Sequence, residues 1–463
     1  MTIPPGRAAR PGRAGILGRG YVLPTVGMVA IVAVSAFQNL AMATIMPVIS
    51  RDLDGEALYS LAFAAPLAAG VPGMVVAGTW ADRSGARVVT IVSALLFALG
   101  TAIVALAGSM PVFLGGRLVE GFGAGALTVV LYVIVSRIYP EHLHGRIFAG
   151  FAGAWVVPGL VGPAAAGVVT DTWGWHWVFV GALVIAVGSF VLLLPSLRRL
   201  PVPDVADRPA WPGPRIAWSA VAAVAVLGLN TAPDLAGALG PLVLAVGLVV
   251  AVVGLRPLLP VGTFRVAPGL PTVVVMRAVA GAAYMGSEVY LPYLLQAHHG
   301  FSPSAAGVTL TLAAISWAAA SWAHGRIPER VLTARRTFSI GLTLVALGLL
   351  AAFVVAVTGV LPVVMIAGWF VAGAGMGIVY PRTSMLTLRL SDRADQGSAS
   401  SALAIGDATG AVVGLAITGV AFTAFGGRAA TVSFAVVFGA MTLVALAGLA
   451  LVRRVGPVPA PRG

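Results

Sequence analysis

The chain has 463 residues, 59% of them apolar and only 9% charged, with a formal net charge of +13 and no cysteine. A water-soluble domain carries about 25% charged residues, so this composition excludes a chain that covers itself with hydrated surface. The absent thiols exclude disulfides and thiolate-bound metals.

Residues 1–20 place Arg7, Arg10, Arg13 and Arg19 among prolines and glycines with no acid. This stretch reads as a disordered basic tail. It does not read as a cleaved signal, because the apolar run behind it is long enough to span a bilayer. Fourteen runs are then predicted as membrane spans, at 22–48, 57–80, 88–108, 111–135, 147–170, 175–195, 216–231, 236–256, 271–295, 303–323, 337–357, 361–386, 398–421 and 430–452. Each is read as a helix, since hydrocarbon offers no partner to open backbone groups and the runs do not alternate as barrel strands do. Spans seven and eight stand apart, the first being short, with Asn230 and Asp234 at their connection. Twelve spans plus a re-entrant hairpin leave the parity of every other loop intact.

The basic residues are all arginine, a usage that suggests a high-GC bacterium, and their positions fix an orientation. With the N-terminus inside, 25 of the 28 fall in the two tails or in the even-to-odd loops, from Arg83 and Arg87 to Arg453, Arg454 and Arg462. Arg51 and Arg428 fall outside and Arg117 lies within a span. Positive flanks resist translocation, so both ends are expected in the cytoplasm of a bacterial inner-membrane protein. The same map accounts for the net charge without nucleic acid.

The two halves echo each other. Gly121, Gly123, Gly125, Gly145, Gly162 and Gly167 recur 252 residues later as Gly373, Gly375, Gly377, Gly397, Gly414 and Gly419. Gly78, Asp82 and Arg83 have a weaker echo in Gly325, Glu329 and Arg330, at an offset of 247. The expected organisation is a tail (1–20), a six-helix bundle (21–195), a cytoplasmic linker (196–215), two inserted transmembrane helices (216–256), a loop (257–270), a second six-helix bundle (271–453) and a tail (454–463). Parallel repeats of this kind build transporters that rock about a midplane site.

The motifs follow in chain order. Gly78-Thr79-Trp80-Ala81-Asp82-Arg83-Ser84-Gly85-Ala86-Arg87 packs an aspartate, two arginines and two turn glycines beside long apolar runs. The pattern resembles the loop between helices 2 and 3 of the major facilitator superfamily of secondary transporters. That resemblance implies an all-α membrane fold of two six-helix bundles, here with two additional central helices. It also implies that Gly78, Asp82, Arg83, Gly85 and Arg87 latch span two to span thirteen in the outward-facing state. Arg117 and Glu120, in Gly116-Arg117-Leu118-Val119-Glu120-Gly121-Phe122-Gly123, resemble the family's helix-4 motif, whose arginine is associated with proton coupling. At i and i+3 they share a helix face and can pair. Glu120 replaces the usual glutamine and is either the counterion of Arg117 or an added titratable group.

Span five carries Pro158, Gly159, Gly162, Pro163 and Gly167, resembling the antiporter motif of drug:proton exporters. Its prolines permit a bend and its glycines close packing, so the helix is expected to seal the inward route. Leu291-Pro292-Tyr293-Leu294-Leu295-Gln296 followed by Gly300-Phe301-Ser302-Pro303 resembles the fourteen-helix branch of those antiporters.

Two further acids fall within spans. Glu288 lies roughly 25 Å along span nine at ~1.5 Å per residue, in its outer third, and Asp407 lies nearer the middle of span thirteen. Intramembrane carboxylates are functional candidates by default, and a desolvated carboxylate can load and release a proton near neutral pH. Asp407, Glu288, Glu120 and Arg117 are therefore the proton-coupling candidates. Gln38 and Asn39 stand in span one, where relatives often carry an acid, and are candidate substrate-cavity residues. Trp155, Tyr284, Trp317 and Trp369 are candidate cavity-lining aromatics. The resulting expectation is a proton-coupled exporter of small amphipathic compounds, using the proton gradient and no cofactor, and acting as a monomer. A dedicated natural-product or lipid exporter and a non-transporting sensor or scaffold are the alternatives. An enzyme is not expected, because few acids and six histidines supply no nucleophile or metal constellation in the spans. The pair His298-His299 reads as an exposed loop.

Overall fold

The computed structural model describes residues 16–18, 20–198, 200, 211, 213–231, 239–327, 331–391 and 396–455. The tail arginines Arg7, Arg10, Arg13 and Arg19, together with Arg199, Arg208, Asp234, Glu329, Arg330, Arg393 and Arg462, lie outside them.

The described residues form helices joined by short connections. In chain order these are α1 (Val22–Asp52), α2 (Tyr59–Ser84), α3 (Ala86–Ala105), α4 (Met110–Ile138), α5 (Glu141–Trp173), α6 (His176–Leu197), α7 (Gly213–Thr231), α8 (Leu239–Leu255), α9 (Leu270–Glu288), α10 (Tyr290–His299), α11 (Pro303–His324), α12 (Ala334–Thr358), α13 (Val363–Arg389), α14 (Gln396–Ala424) and α15 (Thr431–Leu451). Thirteen stretches are long and apolar enough to cross a membrane among the described residues, with α9 and α10 counting as one. The fourteenth, α8, has 17 residues, at the short end of what spans a hydrocarbon core.

Span nine was expected to be continuous. It crosses as one stretch, Leu270–His299, with its hydrogen-bond ladder interrupted at Val289, whose own backbone stays helical. Pro292 has no N–H to give to the carbonyl of Glu288 four residues back, and the ladder opens there. Pro158 and Pro163 produce no such break, and α5 runs through both as one 33-residue helix.

The helices pack in two groups. In the first, α2 and α3 lie on α4, and α1 lies on α5 and α6; in the second, α11 and α12 lie on α13, α9 on α14, and α15 on α12 and α9. The repeated glycines sit at matching close approaches. Gly121 and Gly125 meet Pro66 and Gly70 of α2, while Gly373 and Gly377 meet Ala313 and Trp317 of α11. Gly123 meets Ser93 and Phe97 of α3, and Gly375 meets Gly341 and Val345 of α12. The α2 and α11 partners are themselves 247 residues apart, the offset of the weaker echo. Gly167 of α5 abuts Ser304 of α11, and Gly419 of α14 abuts Ser60 of α2, so the correspondence extends across the seam between the groups. Small residues at such points let helix backbones approach closely. Gly145 and Gly397 lie outside the residues whose packing is described.

The end of the molecule where α1 starts and α15 stops is called the terminal face, and the other end the distal face. Among the described residues, the polar links joining the two groups are distal. The hydroxyl of Tyr59 donates to the carbonyl of Val289 (2.6 Å), and Gln296 Nε2 donates to the carbonyl of Thr44 (2.9 Å). The Ser304 amide donates to Asp171 Oδ2 (3.2 Å), and Arg428 pairs with Glu56. Between them lies a buried aromatic plug, in which Tyr59 stacks on Tyr293 with centroids 4.6 Å apart and Tyr290 and Tyr293 pack on Phe422.

Candidate functional site

One face of α9 carries Arg277, Gly281, Tyr284 and Glu288, spaced by four, three and four residues, so that all four side chains line one stripe. The Arg277 guanidinium reaches α13 and α14 from there. Its Nη2 pairs with Asp407 Oδ2 at 3.1 Å, and its Nη1 donates to Thr383 Oγ1 (3.1 Å) and to the Tyr380 carbonyl (3.2 Å). The guanidinium lies 3.4 Å from the centroid of the Tyr380 ring, a cation–π contact. The Tyr380 hydroxyl donates to Asp407 Oδ1 at 2.7 Å. Both carboxylate oxygens are therefore engaged by different helices. A methyl group at Gly281 would stand 3.0 Å from Asp407 Oδ1, so the glycine makes room for this arrangement. The cluster is not sealed: the side chains of Arg277 and Asp407 keep 15% and 27% of their surface open.

Aromatic rings continue from it. Trp317 meets Tyr380 and Tyr284 edge-on, with centroids 5.0 and 5.6 Å apart, and Tyr284 stacks on Trp369 at 4.7 Å. Tyr284 and Trp369 are fully buried. They form the packed wall behind Trp317, where the sequence suggested cavity-lining rings. The reason is stacking: each ring covers the face its neighbour would otherwise present to solvent. Glu288 ends α9 at the break, half-buried, close enough to Tyr284 and Tyr380 to interact with both. Among the described residues it has no ion-pair partner.

In the other group, Arg117 and Glu120 are both buried and pair at 2.8 Å, with Arg117 Nε also donating to the Ala62 carbonyl at 3.4 Å. This buried pair is internally compensated, as a charge removed from water requires. Gln38 is buried and donates to Thr101 Oγ1 of α3 (3.2 Å), so it belongs to helix packing and does not line a cavity. Its neighbour Asn39 is exposed, its amide turned back to the Ser35 carbonyl (2.8 Å). Trp155 on α5 is 48% exposed.

The turn between α2 and α3 is built on Gly85, whose φ of +84° suits glycine alone. Asp82 is mostly exposed and faces Arg137 at the end of α4 (3.7 Å), and Arg83 lies over the Trp211 ring at 5.3 Å. Arg87 is exposed and Gly78 is loosely packed against Val129. Asp82 thus partners its own group here, while the expected partner was α14. On α5, Gly162 lies against Phe37, Gly159 between Leu40 and Ala314, Pro163 against Gly307 and Gly167 against Ser304. The motif therefore seals the distal half of the α5–α11 seam. The expected inward route was the other one; Gly159 to Gly167 occupy the C-terminal half of α5, which is its distal half. Pro158 is buried within the same stretch.

Three residues of the cluster, Arg277, Tyr380 and Thr383, were not singled out by sequence. Arg277 counts among the 25 arginines that the sequence map assigns to the inside. The legible signal was its stripe with Glu288 on one helix face.

The family model of the Major Facilitator Superfamily matches residues 28–287 and 273–463. A protein of Mycobacterium tuberculosis named a probable multidrug-efflux transporter is 27% identical over 457 residues, covering 94% of this chain and 93% of its own length. The multidrug efflux pump SdrM of Staphylococcus aureus is 22% identical, covering 79% of this chain and 81% of its own. A crystal structure of a peptide transporter of the POT family superposes with a TM-score of 0.67 at 18% identity, over 96% of each chain, a likeness of fold.

Proposed function

The chain belongs to the Major Facilitator Superfamily, and on that premise we propose that it exports small amphipathic organic compounds from a bacterial cell in exchange for protons. The observation that carries this reading is the half-buried cluster of Arg277, Tyr380 and Asp407, with Glu288 farther along α9. The names of the two efflux relatives favour drug-like substrates. The excess of arginine at the terminal face supports an inner-membrane protein with both ends in the cytoplasm.

Asp407 carries the proton in this reading. Deprotonated, it holds α9 and α13 through Arg277 and Tyr380. A proton on the carboxyl removes the charge that the guanidinium answers and weakens two charge-assisted bonds at once. The three helices are then free to reset, and the equilibrium between two arrangements shifts by the difference in their interaction energies. Glu288 offers a carboxylate to cationic substrates near Tyr284 and Tyr380. The bundles 21–195 and 271–453 are the rocking units, with 216–256 inserted between them. Distal closure supports an inward-facing resting state, in which Asp82 pairs with Arg137 of its own group. The gradient supplies the energy without a cofactor, and one chain, holding both bundles, is the working unit.

The test is uptake of a fluorescent cationic dye into proteoliposomes, with and without an imposed pH gradient. Gradient-driven movement in the wild type that is lost in Asp407→Asn, at equal reconstitution, is the expected result. Dye movement indifferent to the gradient, or intact in the variant, overturns the proton role of Asp407.

A further inference from the structure

At the terminal face of the second group, three chain segments bring five arginines together. The single turn Thr263–Arg265 before α9 contributes Arg265, the start of α12 contributes Arg335 and Arg336, and the turn Val452–Arg454 after α15 contributes Arg453 and Arg454. Their adjacency is fixed by hydrogen bonds. Arg335 Nη2 donates to the Arg453 carbonyl at 2.7 Å, and Arg454 Nη1 donates to the Arg265 carbonyl at 2.8 Å. Arg336 Nη1 donates to the Val331 carbonyl at 3.1 Å.

All five side chains are exposed, and among the described residues none meets a carboxylate. A guanidinium has five donors, so each of the three that bond a carbonyl retains others. The first turn of α12 has no acid and two arginines, which places cations where the helix dipole favours an anion. Beside them, Val261 and Phe264 are 99% and 51% exposed. Five exposed guanidiniums that meet no carboxylate among the described residues, next to outward-pointing apolar side chains at the level where membrane helices end, match the chemistry of an anionic phospholipid: phosphate above, acyl chain below.

We propose that Arg265, Arg335, Arg336, Arg453 and Arg454 form a binding site for the phosphate headgroup of an anionic membrane lipid, with Phe264 and Val261 against its acyl region. Arginine suits this task because its planar fork can bind a phosphate with two parallel hydrogen bonds. Basic clusters between membrane helices recognise anionic headgroups in the same way. The bound lipid ties the beginning of α9, the beginning of α12 and the end of α15 to one anion. The site is separate from the Asp407 cluster, and its existence does not depend on what the protein transports.

The experiment is thermal melting of the full chain in neutral detergent, titrated with phosphatidylglycerol, with phosphatidylcholine, or with sodium phosphate at equal phosphate concentration. Phosphatidylglycerol is expected to raise the melting temperature of the wild type, and the other two are not. The triple variant Arg335→Gln, Arg336→Gln, Arg454→Gln is expected to need on the order of a hundredfold more phosphatidylglycerol for the same shift, each arginine near an anionic surface being worth about fivefold. Should the triple variant give no cooperative melt, Arg336→Gln alone decides, with an expected weakening of about fivefold. An equal response of wild type and variant, an equal response to phosphatidylcholine, or a shift reproduced by free phosphate would each overturn the lipid site.

Discussion

Asp407 is the residue on which the chemistry turns, because side chains from two other helices converge on its two oxygens. Gly281 controls how closely they converge. In Gly281→Ala the new methyl stands 3.0 Å from Oδ1, so the carboxylate must shift by a few tenths of an ångström. Gradient-driven dye transport should fall on the order of tenfold, as displacements of this kind do to positioned groups, with little change in melting temperature. Arg117 and Glu120 invite a different test. Arg117→Ala leaves Glu120 buried without its partner and should cost about 3–5 kcal/mol, read as a lower melting temperature in detergent. Replacing both by apolar residues of similar volume should recover most of that loss, which separates a structural pair from a titrating one.

The α9–α10 break is the element with the clearest consequence. Pro292 opens the ladder next to Glu288, and Tyr59 of the opposite group caps the carbonyl of Val289 from across the seam. Tyr59→Phe removes that bond and keeps the stacked ring on Tyr293. The distal closure should loosen by about 1 kcal/mol. Labelling of a single cysteine placed at Ser60 should accelerate, a clean measurement in a chain with no cysteine of its own. An unchanged labelling rate would show that the aromatic plug alone holds the seam.

For the whole molecule, the distal seam predicts a lock. The Ser304 amide meets Asp171 Oδ2 across the two groups at 3.2 Å, which makes these two positions the ones to bridge with engineered cysteines. In the double variant Asp171→Cys, Ser304→Cys, oxidation should abolish dye transport and reductant should restore it, while the matching single variants should ignore the oxidant. Transport that survives a completed cross-link would mean the two groups do not separate at the distal face during the cycle. The matched glycines belong to this scale as well. Gly167 on Ser304 and Gly419 on Ser60 are the same contact made twice, which is what rocking about a pseudo-twofold axis requires.

The sequence by itself determined that the chain lives in a bilayer, that it crosses as helices, which loops carry the arginines, and that glycines recur between its halves at one offset. These properties are written locally. Hydrophobic length, prolines, glycine spacing and flanking charge report each helix's own environment, so they can be read one helix at a time. Asp407, Glu288 and the Arg117–Glu120 pair were legible for the same reason, since charge inside an apolar run is conspicuous. Only the tertiary structure decided that Asp407 meets Arg277 across 130 residues, that Tyr284, Trp369 and Gln38 are packed away, and that the Gly-Pro stretch of α5 closes the distal face. Such pairings depend on how backbones approach at contacts between helices distant in the chain. A residue's hydropathy is the same whether its side chain turns towards lipid, a cavity or another ring, and helix packing makes that choice.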